Sequence, residues 1–183
     1  MFDNRPWIAL FSQTGSEIVK LSNRLGQFPD KIITNRANRA DFHPGILKYD
    51  ATRSVTTLKP TPSSDDYANV LHDNAIITLH GWMRIIPPEI CDKHTIYNLH
   101  PGLINEYPEL KGKDPQEQVF KMLNPPAHVG CVLHRATGEL DSGPIILSRR
   151  VINHYNTPNC LITGLHEMSG DMWLDFFQDE LYK

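Results

Sequence analysis

The chain has 183 residues, 40% hydrophobic and 9% aromatic, and 18 Lys and Arg against 21 Asp and Glu give a net charge of −3. That length supports one buried core, the composition lies far from that of disordered chains, and the charge balance offers no broad footprint for nucleic acid or an acidic membrane. One domain spanning residues 1–183 is expected.

The opening Met1-Phe2-Asp3-Asn4-Arg5-Pro6 lacks the basic region and long apolar stretch of a signal peptide, and no membrane-length apolar segment follows. Cys91, Cys131 and Cys160 are odd in number and widely spaced, which argues against a disulfide framework and against a zinc site. A cytoplasmic protein without a metal is expected.

Trp7 to Ser12 is a short apolar run, and after Gly15 the residues Ile18, Leu21 and Leu25 recur at helical spacing, which predicts strand, tight loop and helix. Lys31 to Thr34 supplies a second strand. Lys59 to Asp65 is rich in turn formers and ends in residues able to cap a helix carrying Tyr67, Val70 and Leu71. Ala75 to Leu79 is continuously apolar, as in a strand covered on both faces. Thr95 to His100, Val129 to His134 and Pro144 to Val151 complete the strands, and a helix over Leu161 to Leu181 closes the chain. Strands interleaved with helices predict an α/β fold: a mostly parallel sheet with helices on both faces.

In the strand ending at His100, period-two geometry puts Asn98 and His100 on one face and Tyr97 and Leu99 on the other. Pro101 and Gly102 break the strand there, at the sheet end where open α/β folds gather ligands. An amide beside an imidazole suits acyl transfer, the amide donating to an oxyanion while the imidazole moves a proton. Asp141, in a loop between apolar runs, supplies a carboxylate that would raise the basicity of His100 if the two meet.

The combination of Asn98-Leu99-His100-Pro101-Gly102-Leu103, then His134, then Glu139-Leu140-Asp141-Ser142-Gly143-Pro144-Ile145-Ile146 resembles the 10-formyltetrahydrofolate-dependent formyltransferases. Their hallmark is Asn-x-His-Pro-Ser-Leu-Leu-Pro followed by Leu-Asp-x-Gly-Pro-Ile, and both halves appear here in order. Leu79 to Ile86 resembles the Ala-Gly-Phe-Met-Arg-Ile-Leu segment of the glycinamide ribonucleotide (phosphoribosylglycinamide) branch. The resemblance implies a single Rossmann-like catalytic domain with formyltetrahydrofolate as co-substrate and no metal. It implies that Asn98 and His100 contact the formyl group and the attacking amine and that Asp141 orients the histidine. It also implies a folate site at Met83, Arg84, Ile85, Ile86, Leu140 and Asp141, and an acceptor site at Thr14, Gly15, Ser16, Glu17 and Glu167.

Two segments depart from the pattern. Pro101-Gly102-Leu103-Ile104-Asn105 replaces Pro-Ser-Leu-Leu-Pro, and Gln13-Thr14-Gly15-Ser16 replaces a Gly-x-Gly-Ser phosphate loop, with Glu17 where relatives have Asn. A carboxylate there would repel an anion at a helix start. The expected partners are a reduced folate and a small, phosphorylated amine acceptor, with no nucleic acid or membrane, in a monomer or homodimer. Hydrolysis of the formyl donor, formylation of an amino-sugar nucleotide and folate binding without catalysis are the competing readings. The relatives that hydrolyse the donor, and those that act on initiator tRNA, carry additional domains for which 183 residues leave no room.

Overall fold

The five residues from Trp7 to Phe11 are all completely buried because they form the central strand β1 of a sheet packed on both faces. Their alternation sorts them into two cores. Trp7, Ala9 and Phe11 pack under the helices Ser16–Leu25 (α1), Pro44–Arg53 (α2) and Pro158–Leu181 (α6), while Ile8 and Leu10 join Tyr67, Trp82 and Ile90 on the opposite face. Burying a large apolar side chain is worth about 1.5–3 kcal/mol, and Trp7 also gains a ring contact with Phe177 at 4.7 Å. This computed structural model describes residues 5–181, and the reading of the first four residues lies outside them.

The remaining strands are β2 Lys31–Thr34, β3 Thr56–Thr57, β4 Ile76–Leu79, β5 Ile96–His100, β6 His128–Arg135 and β7 Ile145–Ile152. They form one sheet in the order β3-β2-β1-β4-β5-β6-β7. Pairing is parallel from β3 to β5 and antiparallel across β5, β6 and β7, so the expected mostly parallel sheet with helices on both faces is observed. The antiparallel half follows from connectivity: residues 136–144 join β6 to β7 without a helix, and a hairpin can only reverse direction.

The helix expected to carry Tyr67, Val70 and Leu71 is shorter, α3 at Ser64–Ala68, opened by a capping box in which Ser63 and Asp66 satisfy each other's backbone N–H groups. The sequence reading assigned no helix to α2, to α4 at Pro88–Lys93, to α5 at Pro115–Lys121, or to the 3-10 turn Pro108–Leu110. All four open with proline at or next to the first position, where its missing N–H costs nothing. Among the described residues no helix is long and apolar enough to cross a membrane.

Gly130 lies where β6 and β7 press closest, and a Cβ there would stand 2.0 Å from the Arg149 carbonyl oxygen and 2.9 Å from the Arg150 Cα. Both obstacles are backbone, so neither can rotate away. Gly130→Ala is expected to destabilise the fold by about 1–3 kcal/mol or more, read as a lower urea midpoint; an unchanged midpoint contradicts this packing.

Candidate active site

Asn98 and His100 share one face of β5 near its C-terminal end, as the period-two reading required. The antiparallel register sets His134 of β6 directly opposite Asn98. A register shift between Leu133 and His134 interrupts the β6–β7 pairing there, the kind of bulge that re-aims a side chain beside a site. The turn from β6 to β7 then returns Asp141 to the same place, with a left-handed backbone (φ 45°) that Asp tolerates better than most residues.

Asp141 is the centre of the cluster, its side chain 9% exposed. Its Oδ2 accepts from the Gly112 N–H at 2.8 Å and lies 3.2 Å from Nδ1 of His100. Its Oδ1 is held more loosely, 3.3 Å from Nδ2 of Asn98 and 3.5 Å from Nε2 of His134. Burial works against the charged carboxylate, yet its polar contacts, the Gly112 N–H among them, outweigh it and hold Asp141 below the usual carboxylate range.

The other ring nitrogen of His100, Nε2, donates to the Leu110 carbonyl at 2.8 Å. Burial pushes the imidazole's pKa down, while the Asp141 carboxylate and the Leu110 carbonyl pull against it. Gly102 makes room for this ring, since a Cβ there would lie 3.1 Å from it and 3.2 Å from Pro115. The loop between β5 and α5 is clasped to the Asp141 turn a second time, where Lys111 Nζ donates to Ser142 Oγ at 2.7 Å.

The Asn98 amide, expected to donate to an oxyanion, is engaged within the cluster. Both hydrogens of Nδ2 already have partners, His134 Nε2 at 3.1 Å and Asp141 Oδ1. His134 stood in the sequence pattern without a role. Its place depends on strand register, which no local signal in the chain encodes.

Of the residues assigned to folate, Met83, Ile85 and Leu140 expose large apolar surface, Ile85 as much as 58%. Ile86 is buried in the core. Arg84 ties its own neighbourhood together, donating from Nε to the Pro60 carbonyl at 2.7 Å and from Nη1 to the Met83 carbonyl at 2.8 Å. The Met83 N–H donates to Ser12 Oγ at 3.0 Å, joining this segment to the loop after β1.

That loop holds the residues assigned to the acceptor. Gly15 caps α1 in a left-handed conformation without a side-chain cap, and the Ser16 N–H donates to Thr14 Oγ1 at 3.2 Å. Glu17, expected as a repelling charge over the loop, is anchored instead on buried His80, 2.9 Å from Nδ1. His80 Nε2 lies 2.9 Å from Thr78 Oγ1, which accepts from Trp7 Nε1 at 2.8 Å. Glu167 makes no hydrogen bond or ion pair with Asn98, His100 or Asp141, and it lines an open cleft with Tyr155, Asn159, Cys160, Thr163 and Gly164. Among the described residues no group of three His, Cys, Asp or Glu side chains is arranged to hold a metal ion.

This sheet, with an amide, two imidazoles and a carboxylate gathered at the end of β5, defines a recognisable class. The chain belongs to the formyl transferase family, whose model matches residues 10–172. It is 30% identical over 107 residues to the phosphoribosylglycinamide formyltransferase of Dictyostelium discoideum, covering 55% of this chain and 50% of that one. It is 34% identical over 87 residues to the methionyl-tRNA formyltransferase of Thermotoga neapolitana, covering 47% of this chain and 26% of that one. The chain thus spans half or less of these curated relatives. The structure of phosphoribosylglycinamide formyltransferase from Anaplasma phagocytophilum matches 96% of this chain and 89% of its own, with TM-score 0.75 and 27% identity.

Burial places the His100 titration below the ordinary imidazole value of about 6.5. Asp141→Asn, which removes the carboxylate that favours the cation, is expected to move it lower still. In the unfolded chain the ring takes its proton more readily than in the folded one, so this group's contribution to stability is lost as pH falls through the window below about 6.5. Ring-proton NMR of the wild type and of Asp141→Asn checks this, and a wild-type midpoint above the ordinary value contradicts the assignment.

Proposed function

We propose that the protein transfers the formyl group of 10-formyltetrahydrofolate to the amine of a small, phosphorylated acceptor of the glycinamide ribonucleotide kind. The observation that carries this reading is the convergence of Asn98, His100 and Asp141 from segments about forty residues apart, with hydrogen-bonding distances through one carboxylate. No local feature of either segment requires that meeting. Exposed Met83, Ile85 and Leu140 offer apolar surface to a folate ring.

The start of α1 supports an anionic acceptor group. The Glu17 and Ile18 N–H groups have no partner among the described residues, and a helix N-terminus favours negative charge. Because the Glu17 carboxylate is anchored on His80, it does not serve as a cap for these donors.

In the reaction the amine nitrogen attacks the formyl carbon, the bond from that carbon to the folate nitrogen breaks, and one amine proton finishes on the departing folate. His100 and Asp141 carry that proton. The loosely held Oδ1 of Asp141 is the oxygen positioned to exchange partners, while Oδ2 stays fixed on the Gly112 N–H.

A panel containing glycinamide ribonucleotide, amino sugars and a no-amine control, each with 10-formyltetrahydrofolate, separates transfer from hydrolysis. His100→Ala and Asp141→Asn are expected to abolish turnover and leave folate affinity nearly unchanged, because their work is done as the tetrahedral intermediate forms. Asn98→Ala is expected to cost on the order of 100-fold. Near-wild-type turnover in His100→Ala, corrected for folded protein, ends the catalytic assignment.

A further inference from the structure

His134 and Asp141 together decide which end of the Asn98 amide faces the reaction. His134 Nδ1 lies 3.0 Å from the Arg135 carbonyl, an acceptor only, so Nδ1 carries the ring hydrogen. In the neutral ring this leaves Nε2 as a lone pair, and the closest group to it is Asn98 Nδ2 at 3.1 Å. Asp141 Oδ1 lies farther from that nitrogen, at 3.5 Å. Turning the amide over would set its carbonyl oxygen against both the His134 lone pair and the Asp141 carboxylate, two repulsive contacts in place of two hydrogen bonds. The amide is therefore held one way round. Its Oδ1 accepts no hydrogen bond from the described residues, and it is not among the buried atoms left without a partner, so it opens to solvent.

We propose that His134 is a positioning residue that holds the Asn98 amide with Oδ1 toward the reaction, where it accepts an N–H of the attacking amine. This rests on formyl transfer to an amine. Accepting one N–H aims the nitrogen lone pair at the formyl carbon and stabilises the positive charge that grows on nitrogen as the new bond forms. The proton that is lost is a different one and leaves by His100 and Asp141. Asn98 is thereby an acceptor toward the nucleophile, and selects for nucleophiles that keep an N–H to give.

The test uses His134→Leu, which removes the acceptor nitrogen, beside His134→Gln, which keeps an acceptor oxygen on a side chain of similar reach. His134→Leu is expected to lower kcat/KM for the amine by on the order of 10- to 100-fold, with folate affinity and melting temperature little changed. His134→Gln should recover most of that loss, which a purely structural role for the imidazole would not produce. Wild-type kcat/KM in folded His134→Leu overturns the proposal.

A second measurement needs no turnover: in 15N-labelled wild-type protein, a coupling across the hydrogen bond between Asn98 Nδ2 and His134 Nε2 is expected. A protonated Nε2 without that coupling overturns the proposal, and this reading stands even if His134→Leu does not fold. If no amine accepts formyl from the wild type while the coupling is present, the transfer reading fails and the amide orientation survives, so the two failures are told apart.

Discussion

A carboxylate taken out of water must be compensated where it lies, and Asp141 is compensated from two other stretches of chain. Removing an ionised group from solvent without partners costs several kcal/mol. Here the Gly112 N–H reaches it from the loop after β5 and the Asn98 amide from β5 itself, with the His100 ring beside its other oxygen. The left-handed backbone at Asp141, the close packing of Gly102 on His100 and the clasp between Lys111 and Ser142 all serve that meeting. Holding the carboxylate ionised and holding the loops together are one interaction seen from two sides.

The second polar construction lies under the first helix. The Trp7 indole can only donate, so Thr78 Oγ1 is its acceptor, and the threonine hydroxyl hydrogen is then available to His80 Nε2. That leaves Nδ1–H for Glu17. A directional chain of hydrogen bonds thus runs from the core of β1 and β4 to the first turn of α1, every buried donor meeting an acceptor. It ties the loop assigned to the acceptor to the most deeply buried strand in the molecule.

Much of this was readable in the chain. The apolar runs at Trp7, Lys31, Ala75 and Thr95 became β1, β2, β4 and β5 to within a residue or two, because buried parallel strands leave uninterrupted hydrophobic stretches. The shared face of Asn98 and His100 followed from the pleat alone. The short helices beginning at Pro44, Pro88 and Pro115 escaped because six to ten residues give too little periodicity, although each proline marked the start. His134 opposite Asn98, and Glu17 on His80 across 63 positions, were not legible, since both pairings are set by how strands register and helices dock.

The junction between the parallel and antiparallel halves also has a history in time. A chain made from its N-terminus completes β1, β2, β4 and β5 while β6 is still unmade, which leaves β5 as an open sheet edge bearing Asn98 and His100. Its partner arrives roughly 35 residues later, a delay of a few seconds at ordinary rates of synthesis. During that interval Asn98 and His100 make the exposed strand less apolar, and so less adhesive, than its neighbours. When β6 and β7 emerge they pair as a local hairpin within microseconds and bring His134 and Asp141 as a unit. The seam between β5 and β6, where Asn98 lies opposite His134, therefore closes only after both halves of the sheet have been made.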